Sequence, residues 1–175
     1  MTMRHIRPAR MDDAAALSRL GRRTFIETFV EGFAIPYPEA DLLPFLDATF
    51  GEDAIREQLA VPHQQWWVAE HDGQVAAFAQ AGPNSLPHPE ARPDHMELKR
   101  LYVARDHQGS GHGRALLETA LAWMEPRSAG PLWIGVWSGN LRAQRLYGHY
   151  GFEKAGDYQY AVGRWLDDEF ILRRL

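Results

Sequence analysis

The sequence predicts an α/β chain: a mixed β-sheet with helices on both faces. Three observations carry this. Strand-like and helix-like stretches follow one another in the order β-α-α-β-β-β-α-β-α-β-β. Two apolar runs flank His71-Asp72-Gly73, and Asp-Gly accepts the positive φ of a tight hairpin turn. Two later strands each lead into an apolar-striped helix, which with the hairpin implies a mixed sheet covered on both sides.

The chain opens with a short strand, His5–Ala9, that ends near Pro8. Asp12 or Asp13 can cap a helix running to about Phe29, with Leu17, Leu20, Phe25 and Phe29 on one side. Gly32, Pro36 and Pro38 make residues 30–38 irregular. Glu39–Phe50 and Asp53–Val61 read as short helices. Gln65–Glu70 and Gln74–Ala81 are the hairpin strands. Residues 82–95, with Pro83, Pro87, Pro89 and Pro93, form a surface loop, either a flap on the substrate side or a plain linker. Met96–Val103 is a strand. Arg114–Met124 is a helix with Leu117, Ala120, Leu121 and Met124 on its buried stripe, and Pro126 stops its continuation. Leu132–Trp137 is an apolar strand. Asn140 caps a helix whose inner face carries Ala143, Leu146, Tyr147 and Tyr150, with Gly151 as its C-cap. Phe152–Tyr160 and Asp168–Arg174 pair as the last strands.

Length and composition bound what this sheet can do. At 175 residues the chain suits one domain, 1–175, with a sizeable core. Hydrophobic residues make up 45% and charged residues 24%, as in soluble globular proteins. A net charge of -4 argues against a nucleic-acid partner, which would favour a basic patch. Cysteine is absent, which excludes disulfides and thiol chemistry. The N-terminus lacks the apolar run of a signal peptide and no stretch would span a membrane, so the cytoplasm is the expected location and no membrane partner is expected. The eight histidines lie scattered without paired ligand spacing, and no metal is expected.

The chemistry centres on Gln108-Gly109-Ser110-Gly111-His112-Gly113-Arg114, between a strand and a helix. Bare glycine backbone admits a ligand closely, and a helix N-terminus offers unpaired N–H groups and partial positive charge. That combination suits a phosphate or pyrophosphate; a plain glycine-rich turn is the other reading. A Walker A loop would need a Lys-Ser/Thr pair that is missing, and the third glycine comes one residue too early for a dinucleotide fingerprint.

What fits is Q-x-x-G-x-G at Gln108, Gly111 and Gly113, which resembles the acetyl-CoA pyrophosphate loop of the GNAT superfamily of N-acetyltransferases. Leu101-Tyr102-Val103 before it and Asn140-x-x-Ala143-x-x-x-Tyr147-x-x-x-Gly151-Phe152 after it resemble two further superfamily features, and Ile6-Arg7-Pro8-Ala9 resembles its usual start. The resemblance implies a seven-stranded, mostly antiparallel sheet. It also implies that the parallel pair 96–103 and 132–137 splays apart after Val103 to hold acetyl-CoA. The pantetheine amide would meet the backbone of Leu101 and Val103, next to Tyr102. The pyrophosphate would meet the amides of Gly109, Ser110, Gly111, His112, Gly113 and Arg114. Arg114 would add a charged contact or simply be solvated, and Asn140 would bond the cofactor or only cap its helix. Thr24–Phe29 and Leu132–Trp137 are similar to a bacterial subgroup that includes polyamine acetyltransferases acting on spermidine.

An amine nucleophile must be neutral, and a group with pKa ~10.4 is neutral at pH 7 about once in 2,500 molecules. Glu97, on the strand before the gap, is the candidate general base; a surface carboxylate is the alternative. Strand alternation puts Glu97, Lys99 and Leu101 on one face and Leu98, Arg100 and Tyr102 on the other unless a bulge intervenes. Tyr147 is placed by the superfamily pattern to protonate the CoA thiolate, or else it is a core tyrosine. Glu27, Glu31, Glu39 and Asp41 would attract a polycation or be a solvated face. The leading expectation is acetyl transfer to a small primary amine, with polyamines as the acceptor class the subgroup resemblance implies, within a ternary complex. A protein or peptide amine as acceptor, and a non-catalytic acyl-CoA-binding module on the same fold, are the alternatives. Trp66 and Trp165, if exposed, would mark a homodimer surface.

Overall fold

The computed structural model describes residues 4–175; residues 1–3, part of the N-terminal stretch read for a signal, lie outside the described residues. Seven strands form one sheet: β1 (Arg4–Pro8), β2 (Gln65–His71), β3 (Gln74–Pro83), β4 (Met96–Val103), β5 (Leu132–Trp137), β6 (Glu153–Val162) and β7 (Trp165–Arg174). Their spatial order is β1-β2-β3-β4-β5-β7-β6. Every pairing is antiparallel except β4 with β5. One face carries α1 (Ala14–Phe25), α2 (Glu39–Phe50) and α3 (Glu52–Ala60); the other carries α4 (His112–Met124) and α5 (Leu141–His149). Two cores result. Leu17, Phe25, Phe50 and Ile55 pack on Trp66, Val68 and Phe78. Leu116, Leu117, Leu121 and Tyr147 pack on Trp67, Leu98, Ile134 and Val136. Burial on both faces explains why Trp66-Trp67-Val68-Ala69 is a continuous apolar run rather than an alternating one.

The entry to α1 differs from simple capping. Asp13 accepts the Arg10 backbone N–H at 2.6 Å, and its two oxygens accept from the Arg7 guanidinium at 2.8 and 2.9 Å. Arg7 also donates to Glu70 at 2.8 Å, so this fork ties β1 and β2 to the start of the helix. Beside Arg7, the Asp13 carboxyl is held below its ordinary value.

The first helix does not give way to irregular chain at residue 30. After Phe25 its coil widens into a π-helix, Ile26–Gly32, in which the Phe33 N–H donates to the Thr28 carbonyl at 2.9 Å. Pro36 and Pro38 then exclude further helix. The last hairpin is also longer than the sequence suggested, because β7 begins at Trp165 rather than Asp168. Its turn docks on α2: Asp41, buried, accepts the Arg164 N–H at 2.9 Å.

The parallel pair separates earlier than expected. β4 and β5 share only the rungs Met96–Leu132, Glu97–Trp133 and Leu98–Ile134, so the splay starts after Leu98, not after Val103. The cause lies on the other edge of β4. Gln80 pairs with Arg100 and Ala81 with Leu98, which leaves Lys99 as an extra residue. Such a bulge bends its strand and raises the local twist. It also resets the alternation, so Leu98, Leu101 and Val103 all face α4 while Arg100 and Tyr102 face the α1 side.

Trp66 is not an exposed aromatic. It stacks on Phe78 at 5.9 Å and is 2% exposed, while Trp165 is half-buried edge-on to Tyr37 at 5.8 Å. Trp66 is therefore closed to a partner surface. Among the described residues no helix is long and apolar enough to cross a membrane.

Candidate active site

The splay opens a cleft of about 710 Å³. Its walls are the diverging ends of β4 and β5, the glycine loop, α5 and the π-helical turn. Leu101, Tyr102, Val103, Gln108, Gly109, Gly111, His112, Gly113, Arg114, Asn140, Ala143 and Tyr147 all line it, although they lie up to 46 residues apart in sequence. Ser110 turns away, its hydroxyl donating to the His107 carbonyl at 2.5 Å.

The loop has the shape an anion needs. Gly109 and Gly111 hold φ of +81° and +85°, a region L side chains rarely enter. Those conformations lead the chain into α4, whose first bond runs from the Ala115 N–H to the Gly111 carbonyl at 3.1 Å. The amides of the first turn, His112 to Arg114, have no carbonyl within the helix to bond and face a cleft rather than packed protein. A pyrophosphate fits there on both geometry and the sign of the helix dipole. The Gln108 side chain donates to the Val103 carbonyl at 3.2 Å, so this residue fastens the loop to the strand end. Arg114 is exposed, and its Nε donates to the Tyr150 hydroxyl at 2.9 Å, which in turn donates to Glu118 at 2.6 Å. Asn140 does cap its helix, accepting the Ala143 N–H at 3.0 Å.

Tyr147 sits on α5 with its ring 6.4 Å from Phe152 and edge-on to it. Burial pushes its phenol above its ordinary value, so it keeps its proton at neutral pH. Glu97 does not line the cleft. It is buried and accepts from the Ser85 N–H at 3.0 Å, the Ser85 hydroxyl at 3.2 Å and Lys99 at 3.2 Å. It thus pins the start of the proline-rich loop and pairs with a lysine, which leaves it little freedom to accept a substrate proton.

Two carboxyls line the cleft: Glu27, which is paired with Arg23, and Glu169, on β7 opposite Trp137 of β5, which pairs with no cation among the described residues. Burial pushes its pKa up to about 7; the Tyr158 hydroxyl, donating to it at 3.0 Å, lowers it, and the charge of Asp167 raises it further. Tyr158 reaches it over Gly135, where an added Cβ would stand 2.4 Å from the phenol oxygen. Sequence reasoning missed Glu169 because the pairing of β6, β7 and β5 is not local. The only hint was a run of three acids, Asp167-Asp168-Glu169, inside a strand, where alternation must turn some of them inward.

Arg100 is a second residue the motifs did not single out. Its guanidinium lies over the rings of Phe50 at 5.0 Å and Trp66 at 5.6 Å, and its Nη1 is buried without a hydrogen-bond partner. Burial lowers its pKa. Three of the four acids proposed to attract a polycation, all but Glu39, are committed elsewhere. Glu27 pairs with Arg23 at 2.6 Å and accepts the Arg105 N–H at 2.9 Å, Glu31 pairs with Arg105 at 2.7 Å, and Asp41 holds the β6–β7 turn. The histidines, scattered in sequence, are not all scattered in space: His71, His107 and His112 converge where α4 packs against the sheet edge.

Comparison with known proteins agrees with this architecture. Residues 25–152 match the acetyltransferase (GNAT) family model. The chain is 27% identical over 148 residues to an uncharacterized N-acetyltransferase of Lactobacillus delbrueckii subsp. lactis, covering 85% of this chain and 86% of the relative. It is 29% identical over 166 residues to an uncharacterized N-acetyltransferase of Mycobacterium tuberculosis, covering 94% and 98%. In structure it is similar to the PaiA N-acetyltransferase of Thermoplasma acidophilum in complex with coenzyme A, with a TM-score of 0.75 and 16% identity over 98% of both chains. A glycine loop heading α4, a parallel pair that opens beside it and a family model spanning both lead to one conclusion: the chain belongs to the acetyltransferase (GNAT) family and is an N-acetyltransferase.

Proposed function

We propose that the protein transfers the acetyl group of acetyl-CoA directly to the primary amine of a small molecule held in the same cleft. The observation that carries this reading is the pairing of a carboxyl with pKa about 7, Glu169, and a phenol that stays protonated, Tyr147, in one cleft beside an anion-binding loop. Acetyl-CoA supplies the activated thioester. The amides of Gly109–Arg114 hold its pyrophosphate, and the exposed edge of β4 from Lys99 to Val103 orients its pantetheine arm. Glu169 takes a proton from the bound ammonium, the neutral amine forms the carbon–nitrogen bond, and its second proton leaves as the amide forms, replacing the one the phenol gives up. Tyr147 gives its proton to sulfur as the carbon–sulfur bond breaks. With no cysteine in the chain, direct transfer needs no acyl-enzyme thioester.

The acceptor, in this reading, carries an anionic group besides its amine. A buried guanidinium without an acid partner is costly, and a ligand carboxylate would offset that cost. A polyamine, which the subgroup resemblance suggested, would instead bring positive charge toward Arg100 and find Glu27 and Glu31 already paired. Release of free CoA is the assay, run across amino acids, short peptides, aminoglycosides, spermidine and spermine. Amino carboxylates are expected to turn over best, with Arg100→Gln raising their KM. Best turnover with spermidine would overturn the anionic acceptor while leaving acetyl transfer standing. CoA binding without turnover of any amine would favour a binding module.

A further inference from the structure

Three imidazoles meet beneath the glycine loop. His71 ends β2, His107 closes the short turn Arg105–His107, and His112 is the first residue of α4. One ring nitrogen from each lies within 4.8 Å of the other two. His71 Nδ1 and His112 Nε2 are 3.2 Å apart. A tetrahedral zinc ion bound at about 2.05 Å to each nitrogen sets neighbouring nitrogens about 3.3 Å apart. One pair therefore already has the required separation. The His107 ring, half-buried with its centroid 4.6 Å from that of His71, completes the triangle with a small turn of its side chain.

The surroundings are those of a ligand set rather than of a packed core. His112 is 1% exposed, its Nδ1 is buried without a hydrogen-bond partner, and its Nε2 shares a 3.2 Å hydrogen bond with His71 Nδ1, the contact a metal would replace. Carboxylates stand beside the other two rings: Asp72 is 3.8 Å from His71 Nε2 and Asp106 is 3.9 Å from His107 Nε2. Both distances exceed a hydrogen bond, and Asp106 is engaged by Arg23 at 2.8 Å, so these acids supply negative charge nearby rather than a fixed contact. Among the described residues, the opposing charge beside His112 is Arg4, whose guanidinium is turned to the Ser110 carbonyl at 3.3 Å.

We propose that His71, His107 and His112 bind one divalent transition metal of the zinc type, with water or another oxygen in the fourth position. Imidazole nitrogens suit zinc, copper and nickel better than magnesium or calcium. Two of the ligands flank the glycine loop, and the third belongs to the sheet. A bound metal would fasten the loop to β2, and metal and CoA would then alter each other's affinity by the same factor.

Calorimetric titration of chelator-treated, untagged protein with Zn²⁺ tests this. The expected result is one ion per chain, with affinity falling at least about tenfold in His71→Gln and in His107→Gln. Each variant's melting curve in the presence of chelator should match the wild type, which separates ligand loss from unfolding. Failure of the wild-type protein to bind Zn²⁺ saturably overturns the site. So does equal affinity in a folded His71→Gln or His107→Gln variant, because the metal would then sit on other histidines.

Discussion

Replacing Glu169 with glutamine keeps the shape of the side chain and its contact with the Tyr158 hydroxyl but removes the base. The size of the effect follows from two numbers. The carboxyl has pKa about 7, so about half of it is ionised at pH 7. A primary amine is neutral at that pH only about once in 2,500 molecules. In the wild-type enzyme the carboxylate draws the proton from the bound ammonium. Log kcat/KM should rise with pH, bend near 7 and stay flat until the amine itself titrates. In Glu169→Gln only the free amine reacts, so the rate should rise about tenfold per pH unit through the same range and the bend should vanish. At pH 7 the deficit is expected at about 10²- to 10⁴-fold, the range of a general base, narrowing toward pH 10. Stability gives a second readout. A carboxyl raised from its ordinary 4.5 to about 7 favours the unfolded state once ionised. The wild-type protein should therefore lose about 3 kcal/mol relative to the variant as pH rises from 4.5 through 7, with the full advantage present only below 4.5. Urea melts of the unliganded protein at several pH values measure this. A variant whose pH–rate profile overlays the wild type would show that Glu169 carries no proton in the reaction.

Tyr147→Phe keeps the ring against Phe152 and loses only the hydroxyl, so kcat should fall by about 10- to 1,000-fold with little change in CoA affinity. Full kcat with the chemical step rate-limiting would make Tyr147 a core residue. Tyr150→Phe is no clean control, because that hydroxyl bridges Arg114 and Glu118 at the edge of the loop. Gly111→Val forces a β-branched residue to φ +85°, a strain of about 1–3 kcal/mol that should be relieved by reshaping the loop, and calorimetry should show CoA binding severely weakened. Unchanged affinity would sink the pyrophosphate assignment. Gly135→Ala puts a methyl where the Tyr158 oxygen now sits and pushes the phenol off Glu169. Loss of that bond should move the bend in the pH–rate profile above 7, and an unmoved bend would mean that Tyr158 does not tune the base.

The half of the cleft proposed for the cofactor was legible because its determinants are local. Three glycines in five residues state where the backbone is bare, and Asn140 with Ala143 and Tyr147 states where α5 begins and which face it buries. The acceptor half was not legible, because its residues meet only through long-range pairing. Glu169 reaches the cleft because β7 inserts between β5 and β6. Arg100 faces the α1 side because Lys99 is an extra residue opposite Gln80 and Ala81, and nothing at Lys99 announces a bulge. Glu97 illustrates the reverse case. A glutamate near the gap was a candidate base in sequence, yet Ser85 and Lys99 make three hydrogen bonds to its Oε1. The π-helix escaped for the same reason, since Ile26–Gly32 has the composition of an ordinary helix end.

That wide turn has a consequence for how such a protein changes over generations. Thr28, Phe29 and Phe33 border the cleft, and the π-helical coil sets their angle around the helix axis. Loss of a single codon within Ile26–Gly32 would return the backbone to ordinary α geometry, which is the more stable coil. The bond from Phe33 to Thr28 would then span four residues instead of five, so α1 and the chain beyond would keep their places while the side chains inside the turn changed direction. A different set of side chains would then border the acceptor space in one genetic step. The segment acts as a ratchet for substrate preference, and length differences among descendants of this chain are expected to collect there rather than in the sheet.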